Sequence, residues 1–289
     1  MVGLLSKGKI TMTTVASSRP ARSPAKRDWV KEIKTKGSGL PSRLVFHGVE
    51  GIGKTSFATN APKPIFLMAK GETGLETLID AARVPETPHF PELMNFNESI
   101  ESLEWLRDNE HDFKTVVLDT LNGFERLCHE FVCKRDFNNE WGNKGFASYQ
   151  AGFDVSMSEW RIFLNLLDQI RGNKKMAIIC LCHTKVKTFK NPEGADFDRY
   201  LPEMHEKTWG LTHKWADHIL FANFYTVVES SDVQKKGKAI GGQQRVMYTV
   251  HHAAYDAKNR AGLPEEIEMG NSGPEAWNNF ISAMKGGAK

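Results

Sequence analysis

Between Gly48 and Thr55 the chain reads Gly-Val-Glu-Gly-Ile-Gly-Lys-Thr, three glycines followed by a lysine and a hydroxyl. That spacing suits phosphate chemistry. Gly48, Gly51 and Gly53 permit a tight turn whose backbone N–H groups point inward. A helix starting at Lys54 offers its positive end to an anion. Lys54 reaches the β- and γ-phosphates of a nucleoside triphosphate, and the Thr55 hydroxyl is placed for Mg²⁺. The candidate ATP-binding set is therefore Gly48, Val49, Glu50, Gly51, Ile52, Gly53, Lys54, Thr55 and Ser56.

Hydrolysis needs three further groups. A carboxylate must hold the metal, and Asp119 ends the apolar run KTVVLD. With Thr55 it forms the candidate metal pair, although an aspartate there can also simply cap the following helix. A second carboxylate must orient water. Glu72 follows the apolar run PIFLMA and is the first candidate, with Glu50 the alternative. Glu72 can also be read as a helix-start carboxylate stabilised by the dipole. His183 ends a third apolar run, ICLCH, at the strand edge where such sheets bind ligands. It is a candidate reporter of the γ-phosphate or a backbone-bonded histidine.

These residues need strands to carry them. Short buried runs at Arg43–His47, Pro64–Ala69, Lys114–Asp119, Met176–Cys182 and His218–Phe224 alternate with helical periodicity at 72–82, 99–109, 121–134, 158–171 and 208–216. Alternation of this kind predicts an α/β fold with a mostly parallel sheet flanked by helices. Tyr225–Glu229 and Arg245–His251 read as an antiparallel edge pair across the turn QKKGKAIGG. Segments 136–150 and 184–206, polar and broken by Gly, Asn or Pro, read as loops. The expected organisation is a basic tail over 1–40, an ATPase domain over 41–270, and a carboxyl-terminal helix and tail over 271–289.

The chain has 289 residues, 40% hydrophobic and 25% charged, which suits a globular protein. No apolar run is long enough to span a membrane. The start of the chain lacks the apolar core of a signal peptide. Four cysteines with no C-x-x-C pair argue against a disulfide scaffold or a zinc site and suit a reduced, cytoplasmic protein. The net charge of +3 is uneven. Residues 1–43 hold ten Lys or Arg against two acidic residues, so the rest of the chain is net acidic. A basic arm of that kind can contact nucleic acid phosphates or act as a solubilising leader.

The order of features, with the segments GVEGIGKTSFA, TVVLDTLNGFERL, AIICLCHTKVKTF, PEGADFDRY, WADHILFAN and DAKNRAGLPEEI, resembles the RecA-like ATPase core. It is most similar to the core-only phage ATPases implicated in single-strand annealing and homologous recombination. The resemblance spans about residues 43–267. It implies a RecA-like P-loop fold, ATP and Mg²⁺ as cofactors, DNA-stimulated ATP hydrolysis, and location in the host cytoplasm if phage-encoded. The implied partners are single-stranded DNA, further copies of the chain in a ring or filament, and a single-strand-binding protein. Lys54, Thr55, Asp119, Glu72 and His183 take the roles given above. Glu72 departs from the family pattern by about two positions, because Ala69-Lys70-Gly71 follow the strand. Lys258 and Arg260 in AKNRAG resemble the finger that reaches a neighbour's nucleotide in RecA-like hexameric helicases; the alternative is ordinary surface charge.

Segments 136–150 and 184–206 would correspond to the DNA-binding loops. Trp141, Lys144 and Phe146 in the first, and Lys185, Lys187, Phe189, Lys190 and Arg199 in the second, supply the rings and cations that single strands require. The same rings can instead anchor the loops to the core. Two further readings stay open: a helicase or helicase loader, and an ATP-gated binding switch with little turnover. A small-molecule kinase would need an arginine-rich lid that the sequence lacks.

Overall fold

A computed structural model describes residues 28–229 and 238–287. The basic run SSRPARSPAKR lies outside the described residues. Of the unit ending at Gly39, the described part holds one helical turn, α1 (Trp29–Glu32).

The second unit begins at Leu40. Its strands are β1 (Arg43–Gly48), β2 (Pro64–Met68), β3 (Thr115–Asp119), β4 (Ala177–Phe189), β5 (Phe197–Pro202), β6 (His218–Glu229), β7 (Lys238–Tyr248) and β8 (Glu266–Glu268). Its helices are α2 (Lys54–Ala58), α3 (Gly74–Asp80), α4 (Phe96–Asp108), α5 (Leu121–Asp136), α6 (Ala151–Lys174), α7 (Glu206–Trp215) and α8 (Gly273–Gly286). The sheet runs β2-β3-β4-β1-β6-β7-β8, with β5 attached to β4. The first five strands of that order are parallel, and β7 and β8 add an antiparallel edge.

The parallel strands are near-continuous apolar runs because both faces are covered. Over one face, Leu103, Phe124, Trp160 and Phe163 from α4, α5 and α6 pack on Val45, Val116 and Ile178. Over the other, Phe57 of α2 and Phe280 of α8 pack on Phe46, Leu181 and Leu220. Trp160 satisfies its indole N–H on Thr212 Oγ1 of α7 at 2.9 Å, so a buried ring leaves no orphaned donor.

Two expectations are corrected. Segment 184–206 is not a loop: β4 continues to Phe189 and pairs antiparallel with β5, from Thr184 opposite Pro202 to Phe189 opposite Phe197. The turn between them is closed by side chains. Asp196 accepts from Asn191 N at 3.1 Å, and Asn191 Oδ1 accepts from Glu193 N at 3.1 Å. Of the anticipated turn QKKGKAIGG, residues 238–242 belong to β7, which begins at Lys238, and residues 234–237 lie outside the described residues. The carboxyl-terminal helix α8 packs within the second unit. Its N-cap Ser272 accepts from Glu275 N, and its rings Trp277 and Phe280 meet Phe57 at 5.1 and 5.6 Å.

Candidate nucleotide site

The phosphate loop emerges from the carboxyl end of β1. Gly48 lies so close to β6 that a β-carbon would sit 2.6 Å from Ala222 O, and Gly51 and Gly53 have φ of +70° and +101°. These positions need glycine for physical reasons. Ile52 is buried and pins the loop to the core, leaving its backbone to serve a ligand.

Strand register brings the chemistry to this loop. His183 of β4 lies opposite Gly48 of β1, and β3 runs beside β4. Asp119 Oδ2 accepts the Thr55 hydroxyl at 3.0 Å. Burial, reinforced by Glu72, pushes the Asp119 carboxyl up to about 6, against the pull of Thr55 and Lys54. Lys54 is itself buried, which lowers its ammonium; Nζ donates to Gly48 O at 2.9 Å and Val49 O at 3.2 Å. A hydroxyl and a carboxylate at this spacing are hard oxygen donors of the kind Mg²⁺ selects, beside a cation suited to phosphate. The residues fit Mg²⁺ and a nucleoside triphosphate, with Thr55 and Asp119 as metal holders.

The displaced Glu72 is returned by a turn. Glu72 N donates to Ala69 O at 2.9 Å, and Gly71 has φ +90°, the conformation a type II turn requires. Glu72 Oε1 then accepts the Thr120 hydroxyl at 2.7 Å and lies 3.6 Å from His183 Nε2. Burial pushes the Glu72 carboxyl up, but His183 and Thr120 outweigh it and leave it lowered. His183 is correspondingly raised by Glu72. Asn122 Oδ1 accepts from His183 N at 3.1 Å, while Nδ1 of the ring is buried with no partner among the described residues. Glu50 also lines the cleft, from the exposed rim of the loop. The cleft has a volume of about 730 Å³.

Thr120 and Asn122 were missed because small polar residues after a strand read as a cap. Thr120 does cap α5, accepting from Gly123 N. Arg245 was missed as well. It lines the cleft from β7 and donates to Ile52 O at 3.2 Å.

Lys258 and Arg260 are not brought to this cleft. An isolated bridge joins Lys258 to Ile219 at the start of β6, the amino-terminal edge of the sheet. Lys258 Nζ donates to His213 O at 2.5 Å, and Arg260 Nη1 sits 3.3 Å from Asp217 Oδ1. Three of the eight candidate DNA contacts have side chains turned to the protein. Phe146 is buried beneath Trp141 and against Phe137 and Phe153, so its ring anchors the segment. Lys185 turns inward to Met204 O at 2.6 Å. Arg199 is tied to His251, Tyr255 O and Asp256. Trp141, Lys144, Lys187, Phe189 and Lys190 are exposed; Lys190 pairs with Asp196 and Lys187 with Glu206.

The fold is a mostly parallel sheet flanked by helices, with a strand inserted between the phosphate-loop strand and the strand ending in Asp119. Residues 40–261 match the AAA domain family, and the chain belongs to that family. No curated protein matches it. A solved structure titled as the crystal structure of the RadB recombinase is similar over 82% of this chain and 90% of that one, at 14% identity and a TM-score of 0.41. That likeness is loose and carries no functional argument. No described helix is long and apolar enough to cross a membrane.

Proposed function

We propose that this chain is an ATPase that binds single-stranded DNA and assists annealing or homologous recombination, in the manner of phage core-only ATPases. The observation that carries the hydrolytic part is the cluster at one strand edge: Thr55 against Asp119 at 3.0 Å, with Glu72 between Thr120 and His183. In this reading Lys54 binds the β- and γ-phosphates, and Thr55 and Asp119 hold Mg²⁺. When bound, the metal neutralises charge on the phosphates. Glu72, kept ionised by His183 and Thr120, orients the attacking water. His183 sits where a γ-phosphate would be felt.

Five exposed candidates, Trp141, Lys144, Lys187, Phe189 and Lys190, support single-strand contact by stacking and phosphate pairing. β4 runs from His183 to Phe189 and joins the two sites in one strand. Lys258 and Arg260, at the opposite sheet edge, can serve hydrolysis only across a subunit interface, so the reading includes an oligomer.

ATP hydrolysis with and without single-stranded DNA is the test, with Glu72→Gln as the variant. The expected result is DNA-stimulated turnover in the parent, and in Glu72→Gln retained ATP binding with turnover lower by about 10²–10⁴-fold. Parental turnover in Glu72→Gln would remove its role, and turnover indifferent to DNA would remove the DNA-dependent part.

A further inference from the structure

The nucleotide cleft has a second wall that the catalytic cluster does not use. It is built by Arg245 of β7 and by Asn271, Ser272, Gly273 and Pro274 at the start of α8. The 271–274 segment lies beyond the residues matched by the AAA domain family.

Arg245 is fixed by three bonds. Nε and Nη2 donate to Gly270 O at 3.0 and 2.7 Å, and Nη1 donates to Ile52 O at 3.2 Å. The guanidinium thus bridges the turn before α8 and the phosphate loop itself. Its Nη1 lies 2.7 Å from where a Gly53 β-carbon would stand. A guanidinium carries five N–H donors. Among the described residues three are engaged, all on backbone, which leaves two on a side chain that lines the cleft.

Position along the sheet says which part of a nucleotide these donors meet. Asp119 and His183 sit on β3 and β4, on one side of the phosphate-loop strand. Arg245 sits on β7, two strands beyond β1 on the other side, about 10 Å away at ordinary strand spacing. A triphosphate whose γ end lies among Lys54, Asp119 and His183 therefore runs its inner phosphate and nucleoside toward Arg245. The wall is closely packed there: a β-carbon on Gly273 would collide with Ser56 O in the first turn of α2.

We propose that Arg245 binds the nucleotide at its inner phosphate and nucleoside end, and that through Gly270 it makes docking of α8 part of nucleotide binding. The inference rests on the reading of this cleft as an ATP site. It separates two classes of residue. Those on the β3–β4 side discriminate ATP from ADP, whereas Arg245 and the α8 turn bind both alike.

The test is calorimetric titration of ATP and of ADP into the full chain, its Arg245→Ala, Arg245→Lys and Gly273→Ala variants, and the Arg245→Ala/Gly273→Ala double variant. Loss of bonds to a charged group predicts Kd values for ATP and ADP raised by the same factor, about tenfold to a hundredfold, in Arg245→Ala. Gly273→Ala should weaken both nucleotides as well, and the double variant should fall short of the product of the singles. The rise in melting temperature caused by ADP should shrink in each variant, a readout that a purely structural arginine would not move. Should Arg245→Ala not fold, Arg245→Lys decides, because it keeps the charge and loses the fork. Unchanged affinities in a folded variant, or weakening of ATP alone, would overturn the inference. A parent chain that binds neither nucleotide would overturn the reading of the cleft and this inference with it.

Discussion

Two charged clusters stand at opposite ends of the same strands. At the amino-terminal edge, Arg43 gives N, Nε and Nη2 to Asp217 at 3.1, 3.1 and 2.9 Å and Nη1 to Asp168 at 3.0 Å. Arg171 and Arg260 join the same Asp217 at 3.4 and 3.3 Å. Burial pushes the Asp217 carboxyl up, but Arg43 and Arg171 outweigh it and leave it lowered. At the carboxyl-terminal edge, among the described residues, the Asp119 carboxyl has one hydrogen bond, from Thr55, and is raised to about 6, while His183 Nδ1 has no partner. The difference separates architecture from chemistry. A cluster that stabilises the fold satisfies its charges within the protein, and one that awaits a ligand holds buried groups in reserve.

Lys54→Ala is the strongest way to break this contrast. On the proposed reading Lys54 serves the ligand and not the core, so hydrolysis should disappear while far-UV circular dichroism keeps its parental form. A variant that hydrolyses ATP like the parent would return the carboxyl edge to a structural role.

Arg260→Ala sharpens the comparison from the other edge. If Arg260 only shares Asp217, its loss moves stability slightly, since its side chain is 55% exposed. If it reaches a neighbour's nucleotide, turnover falls by about a thousandfold or more. Mixing Arg260→Ala with Lys54→Ala subunits should then restore part of the activity. Co-assembled subunits without rescue would exclude action in trans.

Next in size are the exposed rings. Trp141→Ala and Phe189→Ala should each weaken single-stranded DNA binding by about 1–3 kcal/mol, with stability kept. Phe146→Ala should do the reverse, lowering stability by about 3–5 kcal/mol through the cavity it leaves. Fluorescence anisotropy with a labelled oligonucleotide and urea unfolding separate the two outcomes.

A pH-dependent effect concerns Glu125 of α5, whose carboxylate accepts His205 N through both oxygens and the Thr208 hydroxyl. Burial raises it from an ordinary 4.5 to about 7, more than those bonds lower it. Between these values the folded chain keeps a proton that the unfolded chain has lost, so stability falls as pH rises through the window. Urea unfolding at pH 5 and pH 8 should show a smaller decline in Glu125→Gln than in the parent. An equal decline would place the titration elsewhere.

Much of the sheet was legible because its strands are buried on both faces, so apolar runs such as KTVVLD have no polar alternation to blur them. The phosphate loop was legible because glycine, lysine and threonine at fixed spacing answer to backbone geometry. The hairpin was not: Lys185, Lys187 and Lys190 gave 184–206 a polar surface, which outweighed the β-branched Val186 and Thr188. The turn returning Glu72 was equally hidden, since Ala69-Lys70-Gly71 reads only as a displacement in sequence. Arg245 and the α8 turn could not be found by spacing, for they join the cleft through folding over a separation of nearly two hundred residues.

β4 also has a mechanical property. Up to Cys180 it is held between β1 and β3 within the parallel sheet, and up to His183 by β1; from Thr184, among the described residues, its partner strand is β5. The hairpin is a cantilever braced partway along: Tyr200 of β5, opposite Val186, is bridged to Tyr255. From Val186 to Phe189 the strand reaches about 10 Å past that brace at an ordinary strand rise. A tilt of roughly 5° at the brace carries Phe189 through about 1 Å on that geometry. The sweep of the tip is set by how many residues the strand extends past its last support.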